Sequence, residues 1–190
     1  MSRRTALLAV ASALVVLAMA IFLSWPDGSA SSKEPAPQPV RVPVDVGSAT
    51  IELFFPGPDD RLHGEERELP LGIDPREVAA LIAEAIVAGP TQEELIAPFP
   101  ADVHVASVDI SEDGIVYVDL ESESRAFPLA SGSRVEMLTL YSLVNSIVHN
   151  IEPAHSVVML WNGRQLLTFG GHIDTTHPVQ PEPGLLARHN

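Results

Sequence analysis

The sequence predicts an α+β fold: a single compact domain of element order β-α-ββ-α-ββ, with two helices packed on one face of a mixed or antiparallel sheet. An N-terminal transmembrane helix precedes it. Three observations lead there. Apolar residues recur at helical spacing in two stretches, Val78 to Ile86 and Val135 to Val148. Short alternating runs, rich in β-branched residues, flank two turn signals, Asp113-Gly114 and Asn162-Gly163. The first 25 residues are almost wholly apolar, unlike anything after them. A chain of 190 residues holds one ordinary domain with appendages.

The elements follow in order. Residues 1–25 form the anchor or a signal peptide. Arg3 and Arg4 precede an uncharged run from Ala6 to Trp25, about 30 Å long as a helix and so matched to a bilayer core. The arginines keep the N-terminus cytoplasmic and export the rest. Cleavage after small residues, at Gly28 and Ala30 or at Ala18 and Ala20, is the competing reading. The apolar run is longer than a usual signal core, which favours the uncleaved anchor. Residues 26–43 carry five prolines among Ser, Ala and Gly and read as a linker. The domain spans 44–180, and 181–190 read as a flexible tail.

Within the domain, Ala49 to Phe55 alternates as a strand and stops at Pro56-Gly57-Pro58. Asp59 to Pro70 is polar and reads as a loop. Asp74 as N-cap, Pro75 at the first position and Glu77 in the first turn open a helix that Gly89-Pro90 closes. Val78, Leu81, Ile82, Ala85 and Ile86 are its apolar stripe, and Thr91 to Ile96 suggests a further short helical turn. Val103 to Ile110 and Ile115 to Leu120 form a hairpin around Asp113-Gly114. The second helix starts at Ser133, read as N-cap with Glu136 completing a capping box. Ser156 to Trp161 and Gln165 to Phe169 make a second hairpin.

From residue 41 onward there are 8 Arg, no Lys and 23 acidic residues, a net charge of -15. Such a domain repels phosphate backbones, which excludes nucleic acid as a partner. No residue is cysteine, so disulfides, thiolate catalysis, Cys-ligated zinc and acylated-Cys anchoring are all absent from this chain.

Several segments in this order resemble the GerMN domain of sporulation and spore germination. They are Leu53 to Pro56, Glu84 to Pro90, Val108 to Leu120, Glu136 to Ile151, Trp161 to Gly163, and Gly170 to Asp174 with Pro178. The resemblance covers about residues 48 to 180 as one copy, where founding members carry two. It implies a compact α/β module outside the cytoplasmic membrane, similar to ring-building motifs of envelope assemblies and sometimes joined to cell-wall amidases. It supplies no catalytic residues.

Candidate sites are few, and each has a structural alternative. His172, Asp174 and His177 offer zinc-type ligands, but their spacing matches no metalloenzyme signature, and Asp174 suits a turn. Gly89-Pro90-Thr91 reads as a helix terminator rather than a functional loop. Asp119, Glu121 and Glu123 share one strand face, yet no Asp-rich calcium loop accompanies them. Phe54, Phe55, Phe99 and Phe127 are candidates for an interaction patch or for core. No nucleophile elbow, phosphate loop, His-Glu-x-x-His helix or dinucleotide fingerprint is present. The expectation is therefore a non-enzymatic, membrane-tethered envelope protein with no catalytic, cofactor-binding or metal residues. It docks on envelope proteins or on its own copies through a sheet face or edge. The alternatives are a peptidoglycan-binding module and an envelope hydrolase.

Overall fold

The computed structural model describes residues 47–70, 74–123 and 132–188. The expected membrane helix, the linker and Phe127 lie outside the described residues. Among the described residues, no helix is long and apolar enough to cross a membrane.

Strand β1 (Ser48–Pro56) forms as its alternation predicts, with Ile51, Leu53 and Phe55 buried. It pairs antiparallel with β2 (Leu62–Pro70) along its whole length. This corrects the reading of residues 59–70 as loop. The run carries Glu65, Glu66, Arg67 and Glu68, so strand propensity is absent. The backbone ladder with β1 forms regardless, and the inward position holds a carboxylate instead of an apolar side chain.

Helix α1 (Pro75–Ala88) has the expected ends: the Asp74 side chain accepts from the Arg76 N–H at 2.9 Å, and Gly89 closes the helix at φ 91°. Its most buried face is Ala79, Ile82, Ala83 and Ile86, the i, i+3, i+4, i+7 set. Ile82 and Ile86 each contribute about 1.5–3 kcal/mol by burial. Residues 91–96 do not form a helix. They make one turn, in which the Leu95 N–H donates to the Gln92 carbonyl at 3.1 Å.

Strands β3 (Val103–Ile110) and β4 (Ile115–Ser122) form the first hairpin, with Gly114 at φ 80°. Helix α2 (Ser133–Asn150) then carries the chain over to β5 (Ser156–Trp161), which lies parallel to β4. Asn162 and Gly163, at φ 50° and 75°, turn the chain tightly into β6 (Arg164–Gln165). The sheet β3-β4-β5-β6 is mixed. The single strand expected over 165–169 is broken. β7 (Thr168–Phe169) leaves to pair with β8 (Ile173–Asp174), while Thr175 takes bonds from and to Gln165 and Leu166. Among the described residues there are thus three sheets rather than one: β1-β2, β3-β4-β5-β6 and β7-β8.

Ser133 is not the N-cap. Gly132 is, at φ 103°, and having no side chain it makes no cap bond, while the Glu136 carboxylate turns inward and closes no capping box. From Leu138 to Leu140 and from Ser142 to Ile147, α2 is buried all round. Its apolar residues Leu140, Leu143, Val144 and Ile147 join the main core with Ile82, Val118 and Met159. Its polar residues face neighbours too. Ser146 Oγ accepts from the Phe54 N–H (2.9 Å), and Asn150 exchanges bonds with the Glu52 backbone (3.1 and 2.7 Å).

The tail expected to be flexible is packed over 181–188. Asn145 brackets the Glu182 backbone (2.9 and 3.3 Å), the Ala187 N–H donates to the Leu62 carbonyl, and Leu185 is buried with Phe54, Leu62 and Leu138. Glu182-Pro183 opens a 3-10 turn, with the Glu182 carboxylate accepting from the Gly184 N–H.

Candidate functional site

The segment after α1 is fastened at four places. Arg67 Nη2 donates to the Gly89 carbonyl at 2.8 Å. Glu65, only 2% exposed, accepts from the Thr91 N–H (2.9 Å), the Gln92 N–H (3.0 Å) and Arg67 Nε (2.6 Å). The Ile96 N–H donates to the Pro56 carbonyl (2.8 Å), and Thr139 Oγ1 donates to the Pro98 carbonyl (3.1 Å). Burial alone would push the Glu65 carboxyl up, but the Gln92, Arg67 and Thr91 donors outweigh it and hold its pKa below the ordinary value. Gly89-Pro90-Thr91 is therefore a helix terminator, as expected, and also the anchor point of a rigid loop.

This loop forms one wall of an apolar groove of about 340 Å³. Pro56, Pro98 and Phe99 line it on one side, and Val135, Leu138 and Thr139 of α2 on the other. Phe99 and Leu138 are buried, whereas Ile96 and Val135 are 53% and 46% exposed. Sequence periodicity placed Val135 in the buried stripe of α2, but the structure puts it on the wall of this concavity.

The candidate ligands His172, Asp174 and His177 are divided among separate hydrogen bonds. Asp174 accepts from the Thr176 N–H (2.9 Å) and hydroxyl (2.6 Å), and these bonds hold its carboxyl below the usual range. His177 Nδ1 lies 2.9 Å from the same hydroxyl. His172 instead turns to α2, its Nδ1 2.7 Å from Glu136 Oε2. Among the described residues, no three His, Cys, Asp or Glu side chains are placed to hold a metal ion. Glu136 is fully buried, and its other oxygen, Oε1, has no hydrogen-bond partner among the described residues. Gly170, at φ 61°, passes so close that a Cβ there would overlap the carboxyl group.

Two of the three strand-end carboxylates are also occupied. Asp119 Oδ1 accepts from the Gly163 N–H at 2.9 Å, and Glu121 Oε2 pairs with His104 Nε2 at 3.4 Å. Glu121 and Glu123 line a polar cleft of about 800 Å³ with His104, Ser122, Asn162 and Arg164. Trp161 lies at its floor but is 5% exposed.

Residues 52–167 match the family described as Germane, sporulation and spore germination. That is more than half of the 190 residues. The chain belongs to the Germane, or GerMN, family.

Among solved structures, it is similar to the tandem GerMN domains of the sporulation protein GerM from Bacillus subtilis. The identity is 20%, over 72% of this chain and 46% of that one, with a TM-score of 0.54. The first GerMN domain of the same protein gives 20% identity over 72% of this chain and 98% of that one, with a TM-score of 0.52. A candidate lipoprotein from Clostridium perfringens gives 22%, 75%, 95% and 0.51 for the same four measures. At these identities the likeness concerns the fold. The chain spans less than half of the tandem pair and nearly all of a single domain. No curated protein is a significant match.

In this GerMN domain the expected edge-docking routes are blunted. The outer edge of β1 is met by Ser146 and Asn150. β3 has a bulge between Val105 and Ser107, and β2 carries four consecutive charges. Phe54, Phe55 and Phe99 are core. The groove went unread because it is built from residues distant in sequence. Of its lining, Phe99 was singled out as a patch or core residue, and Ile96 was placed at the end of a short helical turn.

Proposed function

We propose that this GerMN domain is a non-catalytic docking module of the cell envelope. An uncleaved N-terminal helix over residues 6–25 holds it outside the cytoplasmic membrane. The observation that carries the docking reading is the rigid apolar groove with Ile96 and Val135 exposed on it. Exposed apolar side chains beside a preformed concavity are the usual mark of an interaction site. The tether would raise the local concentration of the domain at the membrane surface. The likeness to a candidate lipoprotein agrees with an envelope location, although this chain has no cysteine to acylate.

The second reading, peptidoglycan binding, draws support from the polar cleft around Glu121, Asn162 and Arg164. Its weakness is the floor: Trp161 is too buried to stack on a sugar ring. Site-specific photo-crosslinking in cells tests the docking reading. A photoreactive residue at position 96 should give a discrete protein adduct. One at Leu167, 76% exposed and not among the residues that line the groove, should not. Adducts from neither position, together with retention on purified sacculi, would favour the glycan reading.

A further inference from the structure

The groove also constrains what it binds, an inference that rests on the docking reading above. Its floor and walls are apolar, but the charge around it is net negative. Asp60 lines it, and Glu93 and Glu94 stand three and two residues before Ile96, all three exposed. Arg134, next to Val135, donates to the Asp60 backbone oxygen and keeps its positive charge, so these three carboxylates face one guanidinium. The whole chain carries 25 Asp and Glu against 11 Lys and Arg. A second copy would bring two acidic rims together, and like-charge juxtaposition of that kind disfavours association. At about 340 Å³ the cavity takes two or three apolar side chains. Charges on a ligand beside it would lie within a Debye length of the rim, about 8–10 Å.

We propose that the groove receives a short extended segment of a partner protein, with two or three apolar side chains flanked by Lys or Arg. The apolar residues fill the space between Phe99 and Leu138 against Ile96 and Val135. The flanking cations meet Asp60, Glu93 and Glu94.

The test uses the full chain in nanodiscs of zwitterionic lipid and three fluorescent nonapeptides. One carries Leu-Pro-Leu between blocks of Lys, one has Glu in place of Lys, and one has Ser in place of Leu. Anisotropy at low salt should show the Lys peptide binding about tenfold more tightly than either control. The double variant Ile96→Ser/Val135→Ser should weaken it about fivefold, and both sites are exposed enough to leave the melting temperature unchanged. The triple variant Asp60→Asn/Glu93→Gln/Glu94→Gln should flatten the salt dependence.

Equal affinity for the Lys and Glu peptides, or unaltered binding by the double variant, would overturn the proposal. Self-association in sedimentation that the double variant abolishes would put a second copy in the groove and overturn it as well. If no peptide binds while position 96 still crosslinks to a protein in cells, the charge chemistry fails and the docking reading stands. If both are lost, docking fails.

Discussion

Two buried carboxylates, Glu65 on β2 and Glu136 on α2, are held in opposite ways. Glu65 accepts from a guanidinium and two backbone amides. Glu136 is equally buried, yet it has one hydrogen-bond partner among the described residues, His172, and an unpartnered second oxygen. A buried charge with a full set of donors stabilises what it ties together, whereas one with a partial set costs desolvation that is not recovered. The first fastens the loop that shapes the groove. The second fastens the β7–β8 turn and does so incompletely.

The comparison can be broken most severely at Glu65. Glu65→Ala removes every bond to Thr91 and Gln92 and strands Arg67, so urea unfolding should show a loss of about 3–5 kcal/mol. His172→Ala leaves the Glu136 carboxylate with no hydrogen-bond partner among the described residues, and should cost about 1–3 kcal/mol by the same measurement. Glu136→Met should fall within about 1 kcal/mol of wild type and should cancel the effect of His172→Ala, because no charge then remains to satisfy. A Glu136→Met loss as large as that of Glu65→Ala would erase the distinction.

Acid titration sharpens the contrast. The folded Glu65 carboxyl sits below its ordinary value of 4.5. Its stabilisation is therefore complete above that pH and is lost as pH falls through the lower, folded value. Glu65→Gln should flatten the acid limb of a stability-against-pH curve, and an unchanged limb would contradict the assignment. A further contrast concerns two neighbouring glycines. Gly170→Ala forces a methyl into Glu136 at a positive φ and should destabilise by about 1–3 kcal/mol. Gly171→Ala, with open space around it, should cost about 1 kcal/mol from its φ of 99° alone. Equal melting temperatures for the two variants would remove the close approach from the account.

Legibility in the sequence followed the same physics. Helix α1 was readable to its ends because Asp74, Pro75 and Gly89 act locally. Both hairpins were readable because Asp113-Gly114 and Asn162-Gly163 specify turn geometry without outside help. Strand β2 was hidden because its inward residue is Glu65, chosen for the loop it holds and not for apolar alternation. Ser133 and Glu136 mimicked a capping box, but His172, 36 residues later, captures the carboxylate. The packed end at 183–185 repeats the Asp74-Pro75 signal as Glu182-Pro183, an acceptor followed by a preset φ. Of the candidate site, the Gly89-Pro90 terminator and Phe99 were legible as single features, but the groove was not. A concavity made by residues 56, 96–100 and 135–139 leaves no periodic trace.

In the proposed docking role, the Glu65 clamp keeps the groove in the shape its partner needs. The direct measurement is photo-crosslinking from position 96 in cells, in the wild-type, Glu65→Gln and Glu136→Gln backgrounds at matched protein levels. A glutamine at 65 cannot accept from Arg67, Thr91 and Gln92 together. The position-96 adduct should therefore disappear in Glu65→Gln while the protein remains folded, and it should persist in Glu136→Gln. Equal adducts in all three backgrounds would contradict the claim, because the loop would then hold its shape without the clamp.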